Sequence, residues 1–240
     1  GSPVVHDVFI RGIDEEGNLR NFVNIFIGDT DIKHSGGIDA SVDSGSDVRI
    51  IPSIAGGLDD LSPSETSRYS RHITLPEIGV EGQKKLKAAK VLIIGAGGLG
   101  CPVSVYLAAA GVGTLGLVDY DVVDESNLQR QILFGTSQIG QPKIEAAKMR
   151  LLDLNPHIQI NLHKDRIASD NALDIIKDYD FIIDGTDNFP AKFLVNDACV
   201  MGQKPFSHGG ILRFDGQTIT YVPGSASYRC IFKEPPPENA

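Results

Sequence analysis

Six residues constrain this chain more than any others: Gly95-Ala96-Gly97-Gly98-Leu99-Gly100. They come directly after the short apolar run Lys90 to Ile94 (KVLII) and open a second apolar stretch, Cys101 to Ala110. Gly95, Gly97 and Gly100 satisfy G-x-G-x-x-G, with Gly98 added. A run of this kind between a buried strand and a helix forms a tight turn whose backbone N–H groups can approach a phosphate. The helix that opens at Gly100 adds partial positive charge at its N-terminus. Pro102 falls in the first helical turn, where its missing N–H costs nothing.

The pattern downstream alternates. Thr114 to Asp119 (TLGLVD) reads as a strand and Pro142 to Leu154 as a helix, with Ile144, Ala147, Leu151 and Leu154 on one face. Ile158 to Leu162 is a strand, Ala172 to Lys177 a short helix, Phe181 to Asp184 (FIID) a strand, and Phe189 to Met201 a helix carrying Pro190 near its start. Ile211 to Val222 is expected to be a hairpin turning at Asp215-Gly216. This alternation predicts an α/β domain, a doubly wound, mostly parallel sheet of Rossmann-like type with helices on both faces.

The segment before it differs. Phe22 to Ile27 (FVNIFI) and Asp47 to Pro52 (DVRIIP) read as strands, and the stretch runs out through Ile54-Ala55-Gly56-Gly57. Leu58 to Ser67, polar with one proline, reads as a linker. The expected organisation is therefore residues 1–57, a linker at 58–67, and a nucleotide domain at 68–240.

Charge and cysteine usage exclude several classes. The 240 residues carry a net charge of −9 with no basic stripe, which argues against nucleic acid as a partner. The longest apolar run, Val103 to Val112, is far too short to span a membrane. Three scattered cysteines, Cys101, Cys199 and Cys230, make no disulfide framework, so the chain is expected to be cytoplasmic and reduced. Cys101 and Cys199 read as core residues, and His208 as a structural histidine near a strand end.

Asp119 ends the strand after the glycine turn, where an acid meets a ribose hydroxyl. A nicotinamide dehydrogenase would account for that much equally well. It gives no role to the polar residues further along the chain: Asp121, then Ser126-Asn127-Leu128-Gln129-Arg130-Gln131, then Gly140-Gln141-Pro142-Lys143. Asn127, Arg130 and Lys143 bring a polar donor and two cations, the equipment for a triphosphate whose charge grows during transfer.

The glycine turn, the Ser126–Gln131 block, Gly140–Lys143 and Asp184-Gly185-Thr186-Asp187-Asn188 together resemble the MoeB/ThiF/HesA family, bacterial relatives of ubiquitin-activating enzymes. The resemblance covers Arg68 to Ala240. It implies ATP-dependent adenylation of the C-terminal Gly-Gly carboxylate of a ubiquitin-like sulfur carrier, in a molybdopterin, thiamin or sulfur-amino-acid route. Carried over by position, it implies that Asp119 holds the ribose and that Asn127, Arg130 and Lys143 hold the phosphates. It also implies that Asp187 is associated with Mg²⁺ and that Arg71 reaches the nucleotide across a homodimer interface. For Asp187 the alternative is a cap on the following helix. A sulfurtransferase is the further partner such a route suggests.

Residues 23–57 resemble the C-terminal half of the MoaD/ThiS carriers, which have a ubiquitin-like β-grasp fold. Gly56 and Gly57 would be the carrier tail, since residues without side chains can thread a narrow pocket. Residues 1–21 are short for the opening hairpin and helix of that fold, so the expected segment is a partial β-grasp. Gly57 is amide-bonded to Leu58 and bears no free carboxylate, so the alternative is a non-catalytic module that binds nucleotide and its own tail. The family pattern also offers Cys230 as a zinc ligand. Ser227 stands where the first cysteine of that pair is expected, and serine is a poor zinc ligand. The second cysteine pair and the crossover loop of the family would lie beyond Ala240.

Overall fold

A computed structural model of the chain describes residues 23–32, 36–37, 40–43, 45–52 and 61–234. The proposed tail, Gly56 and Gly57, lies outside the described residues. The chain divides into two compact units, Gly1–Lys84 and Lys85–Ala240.

In the first unit β1 (Val23–Ile27) pairs antiparallel with β2 (Thr30–Asp31) on one side and β3 (Val48–Pro52) on the other. Both strands expected from the sequence are thus present and are neighbours. Within the stretch read as a linker, Pro63 to Ser67 is helical. Ser62 begins a capping box: its hydroxyl accepts the Glu65 N–H at 3.2 Å and the Glu65 carboxylate accepts the Ser62 N–H at 2.8 Å. With Pro63 at the first helical position, this starts α1 (Pro63–Arg68), followed by α2 (Ser70–Ile73) and α3 (Gly79–Ala88). Leu61, Tyr69, Ile73 and Val80 form a small core on which Phe26 packs.

The second unit is the predicted α/β layer structure. In chain order come β4 (Lys90–Ile94), α4 (Gly100–Ala110), β5 (Thr114–Val118), α5 (Lys143–Leu154), β6 (Gln159–His163), α6 (Ala172–Ile176), β7 (Phe181–Asp184), α7 (Phe189–Met201), β8 (Phe206–Leu212), β9 (Asp215–Tyr221) and α8 (Tyr228–Ile231). The sheet order is β6-β5-β4-β7-β8-β9. All neighbours run parallel except β9, which returns antiparallel to β8. Both faces of the central strands are buried, and alternation divides them. Val91 and Ile93 face a core with Ala108, Ile144 and Leu151. Leu92 and Ile94 face a second core with Ile176, Phe193 and Val195. Burial on both sides is why these strands read as continuous apolar runs.

The hairpin is real but its turn is misplaced in the sequence reading. Leu212 pairs with Asp215, so the turn is Arg213-Phe214 rather than Asp215-Gly216. Phe206 faces Tyr221 across the ladder, both buried, with ring centroids 5.5 Å apart. A turn two residues later would slide this aromatic pair out of register, and core burial outweighs the local preference of Asp-Gly. The first half of β8, which pairs with β7, was not anticipated.

Candidate functional site

The chain passes from β4 outward to β5 and β6, then returns to lay β7 on the other side of β4. At such a switch point the connections leaving the strand ends diverge and open a crevice. Here those connections begin at Gly95, Asp119, Lys164 and Gly185, and they border a cavity of about 1010 Å³.

The glycine turn is held tightly. Gly95 has φ +93°, and a Cβ there would lie 2.9 Å from the Gly185 carbonyl oxygen. A Cβ on Gly100 would lie 1.8 Å from the Gly95 carbonyl oxygen, so α4 can approach β4 this closely only with glycine. Gly97 is different: nothing approaches its Cβ position closer than Gln131 Nε2 at 4.0 Å, and it lines the cavity with Gly95 and Gly98. Two glycines therefore serve packing, and one leaves room for a ligand.

Asp119 also lines the cavity and braces the turn. Its carboxylate accepts the N–H of Ala96 at 2.7 Å and that of Asp121 at 2.9 Å. Lys143, the first residue of α5, is buried, and its Nζ donates to the Asp121 carboxylate at 3.0 Å. The Lys143 backbone N–H donates to the Asp121 carbonyl at 2.9 Å, so the two residues are held together twice. Arg130 comes after a short 3-10 turn (Glu125–Asn127) capped by Asp124. Its guanidinium donates to the Ser126 carbonyl at 3.4 Å and borders the cavity.

Asp187 lines the cavity from the β7–α7 loop, with its side chain exposed. It is not the helix cap: Asn188 caps α7, accepting the Ala191 N–H at 3.0 Å. Asn127 and Gly100 do not line the cavity; Asn127 belongs to the turn that supports Arg130, and Gly100 is buried at the start of α4. Arg71 lies in the other unit, on α2, with its side chain exposed.

The crevice also holds residues that the sequence reading did not single out. Gln131 is buried against the glycine turn, and its Oε1 has no hydrogen-bond partner among the described residues. Arg166 lines the cavity and sits over the Tyr120 ring at 5.7 Å. Lys192, buried on α7, lines it from the opposite side. Near Lys192, Asp184 accepts hydrogen bonds from Thr186 N (3.0 Å), Thr186 Oγ1 (2.6 Å) and His208 Nδ1 (2.9 Å). Burial pushes the Asp184 carboxyl up, but the His208 hydrogen bond, the Lys192 charge and the Thr186 donors outweigh it and hold the group below the usual carboxylate range. His208 is buried as expected of a structural histidine, and its Nε2 has no partner among the described residues.

Burial pushes the Cys101 thiol up to about 11 and the Cys199 thiol up to about 12, so neither is a thiolate at neutral pH. Cys230 is exposed on α8, with Ser227 Oγ 3.9 Å from its sulfur. Among the described residues no three His, Cys, Asp or Glu side chains cluster as a metal site. Nor is any described helix long and apolar enough to cross a membrane.

The chain is similar to known proteins over most of its length. The chain is 50% identical over 192 residues to a probable adenylyltransferase/sulfurtransferase, MoeZ of Mycobacterium tuberculosis, a match covering 78% of this chain and 49% of that protein. It is 51% identical over 181 residues to the adenylyltransferase and sulfurtransferase MOCS3 of Drosophila yakuba, covering 75% of this chain and 40% of the relative. The chain thus spans about half or less of the length of these curated relatives. Among solved structures, Escherichia coli MccB with ATP superposes with a TM-score of 0.64 at 34% identity, over 75% of this chain and 54% of that one. The ThiF family model matches residues 69–240, the stretch that carries the glycine turn, Asp119, Arg130, Lys143 and Asp187, and the chain belongs to the ThiF family.

Proposed function

We propose that this chain binds ATP in the crevice and adenylates the C-terminal Gly-Gly carboxylate of a ubiquitin-like sulfur carrier. The observation that carries the reading is the convergence on one cavity of the glycine turn, Asp119, Arg130, Lys143 and Asp187, which are far apart in sequence. Family membership implies ATP as the nucleotide and sets aside the dehydrogenase alternative.

The reaction needs positioning and charge neutralisation more than proton transfer. A carboxylate is already a nucleophile at neutral pH. One of its oxygens attacks the α-phosphorus, the bond from that phosphorus to the bridging oxygen of the β-phosphate breaks, and pyrophosphate leaves with the electron pair. The product is an acyl-adenylate. In this reading the N–H groups around Gly97 and Gly98 and the start of α4 receive phosphate oxygens. Asp119 accepts from the ribose with the lone pairs left over from Ala96 and Asp121. Arg130 and Lys143 stabilise the leaving pyrophosphate, Asn127 keeps the Arg130 turn in shape, and Asp121 fixes the Lys143 ammonium. Arg71 is supplied by a second copy of the chain in a homodimer.

Asp187 fits Mg²⁺, which binds through few carboxylates together with phosphate oxygens. Such an ion would neutralise phosphate charge. Zinc does not fit Cys230, whose neighbouring ligand position is a serine. The N-terminal segment is read as carrier-like, either a tethered substrate awaiting cleavage after Gly57 or a tethered occupant of the carrier site. Thiocarboxylate formation would come next, with a sulfurtransferase, the second activity named in MoeZ and MOCS3.

The test is ATP–pyrophosphate exchange with a free Gly-Gly-ended carrier, for the wild type and Arg130→Ala. Exchange that disappears in the variant supports carboxylate adenylation. Tight ATP binding without exchange in the wild type would replace it with the non-catalytic module.

A further inference from the structure

Lys192 is an unexpected residue to find buried on a helix. It retains 7% of its exposure, on the first turns of α7, inside a layer otherwise packed with Phe193, Val195 and Ala198. Its Nζ donates to the Thr186 carbonyl in the β7–α7 loop and to the Gly209 carbonyl of β8 at 2.9 Å, and lies 4.0 Å from Asp184 Oδ2. Both hydrogen-bond partners are carbonyl acceptors, and the Asp184 carboxylate stands near as a counter-charge. Asp184 grips the same loop from its other side through the Thr186 N–H and hydroxyl. Thr186 is thus held at its amide, its hydroxyl and its carbonyl, and the next residue is Asp187.

The charge at 192 offsets the buried Asp184 carboxylate. Its hydrogen bonds go to the loop that carries Asp187 and to β8 rather than to the apolar layer around it. Resting on the adenylation reading, we propose that Lys192 is a positioning residue: it ties the Gly185–Asn188 loop to β8 and so fixes where the Asp187 carboxylate stands for a nucleotide-bound divalent cation. His208, bonded to Asp184, backs the same anchor from β8.

The test uses the full chain with Lys192→Met, close in volume but uncharged, and Lys192→Arg, which restores charge and donors. Lys192→Gln serves in place of Met should that variant not fold. Two quantities are read: hydrogen exchange of the amides at 185–188, and the Mg²⁺ concentration that half-saturates ATP binding. Lys192→Met should exchange faster in this loop, and it should raise the half-saturating Mg²⁺ concentration by about tenfold to a hundredfold, the range for loss of a group that orients a metal ligand. Lys192→Arg should recover most of both effects. Unchanged loop exchange in Lys192→Met overturns the tie, and an unchanged Mg²⁺ requirement overturns its functional purpose. Failure of the adenylation reading looks different: it shows in the wild type, as absent ATP binding or absent pyrophosphate exchange.

Discussion

The Asp119 carboxylate accepts the backbone N–H of Ala96, inside the glycine turn, at 2.7 Å. The acid expected to meet the ribose is therefore also what shapes the phosphate turn. Asp119→Asn keeps the size but places an NH₂ group where one of two N–H donors must be received. A hydrogen bond to a charged group contributes about 1.5–3 kcal/mol. ATP affinity should fall by roughly tenfold to a hundredfold, measured by calorimetric titration, with a lower melting temperature even without nucleotide.

Gly97→Ala and Gly100→Ala should separate binding from folding. The added methyl at Gly100 would meet the Gly95 carbonyl oxygen at 1.8 Å. That forces backbone movement, and unfolding free energy should drop by about 3 kcal/mol. The methyl at Gly97 meets nothing closer than 4.0 Å, so urea denaturation should be unchanged within about 0.5 kcal/mol while ATP binding is lost. Equal destabilisation of both variants would show that Gly97 is also a packing residue.

Lys143→Met removes a buried charge while filling its volume. The partner Asp121 keeps access to water, with 54% of its side chain exposed, so the fold should survive. Pyrophosphate exchange should fall by about a hundredfold or more, as for loss of a group aimed at developing charge. Near-wild-type exchange would assign Lys143 to structure alone.

Acid should act through Asp184. Its pKa is lower in the folded state than the unfolded value near 4. The unfolded chain therefore binds more protons between the two values, and the stabilisation is present above pH of about 4 and lost as pH falls through the folded pKa. The slope of unfolding free energy against pH below about 4 should be shallower in Asp184→Asn than in the wild type. Identical slopes would mean that other carboxylates carry the acid response.

The hairpin turn stores a local conflict. Arg213 sits at φ +58°, the left-handed region that costs a side-chain-bearing residue about 1–2 kcal/mol. Arg213→Gly fits the first turn position and should stabilise the chain by roughly 1 kcal/mol. Thermal denaturation without ligand reads this directly, and a lower melting temperature would contradict it.

Much of this was legible along the chain because it depends on local periodicity. Lys90–Ile94, Phe181–Asp184 and Phe189–Met201 are the observed bounds of β4, β7 and α7. The helix α1 was legible too, in Ser62-Pro63-Ser64-Glu65, but its polar composition disguised a capping box as a linker. Gln131, Arg166 and Lys192 were not legible as site residues. Each is an ordinary polar residue in its own segment and acquires a role only from what faces it.

By itself, then, the sequence determined the glycine turn, the order of strands and helices from Lys90 to Met201, and the candidates Asp119, Arg130, Lys143 and Asp187. Those rest on steric rules and repeat periods that act within a few residues. Only the tertiary structure decided that the Arg213-Phe214 turn prevails over Asp215-Gly216, that Asn188 rather than Asp187 caps α7, and that Lys192 meets Thr186, Gly209 and Asp184. Those outcomes turn on burial of Phe206 against Tyr221 and on hydrogen bonds between β7, α7 and β8. Such energies exist only once distant segments are packed together, so no local pattern encodes them.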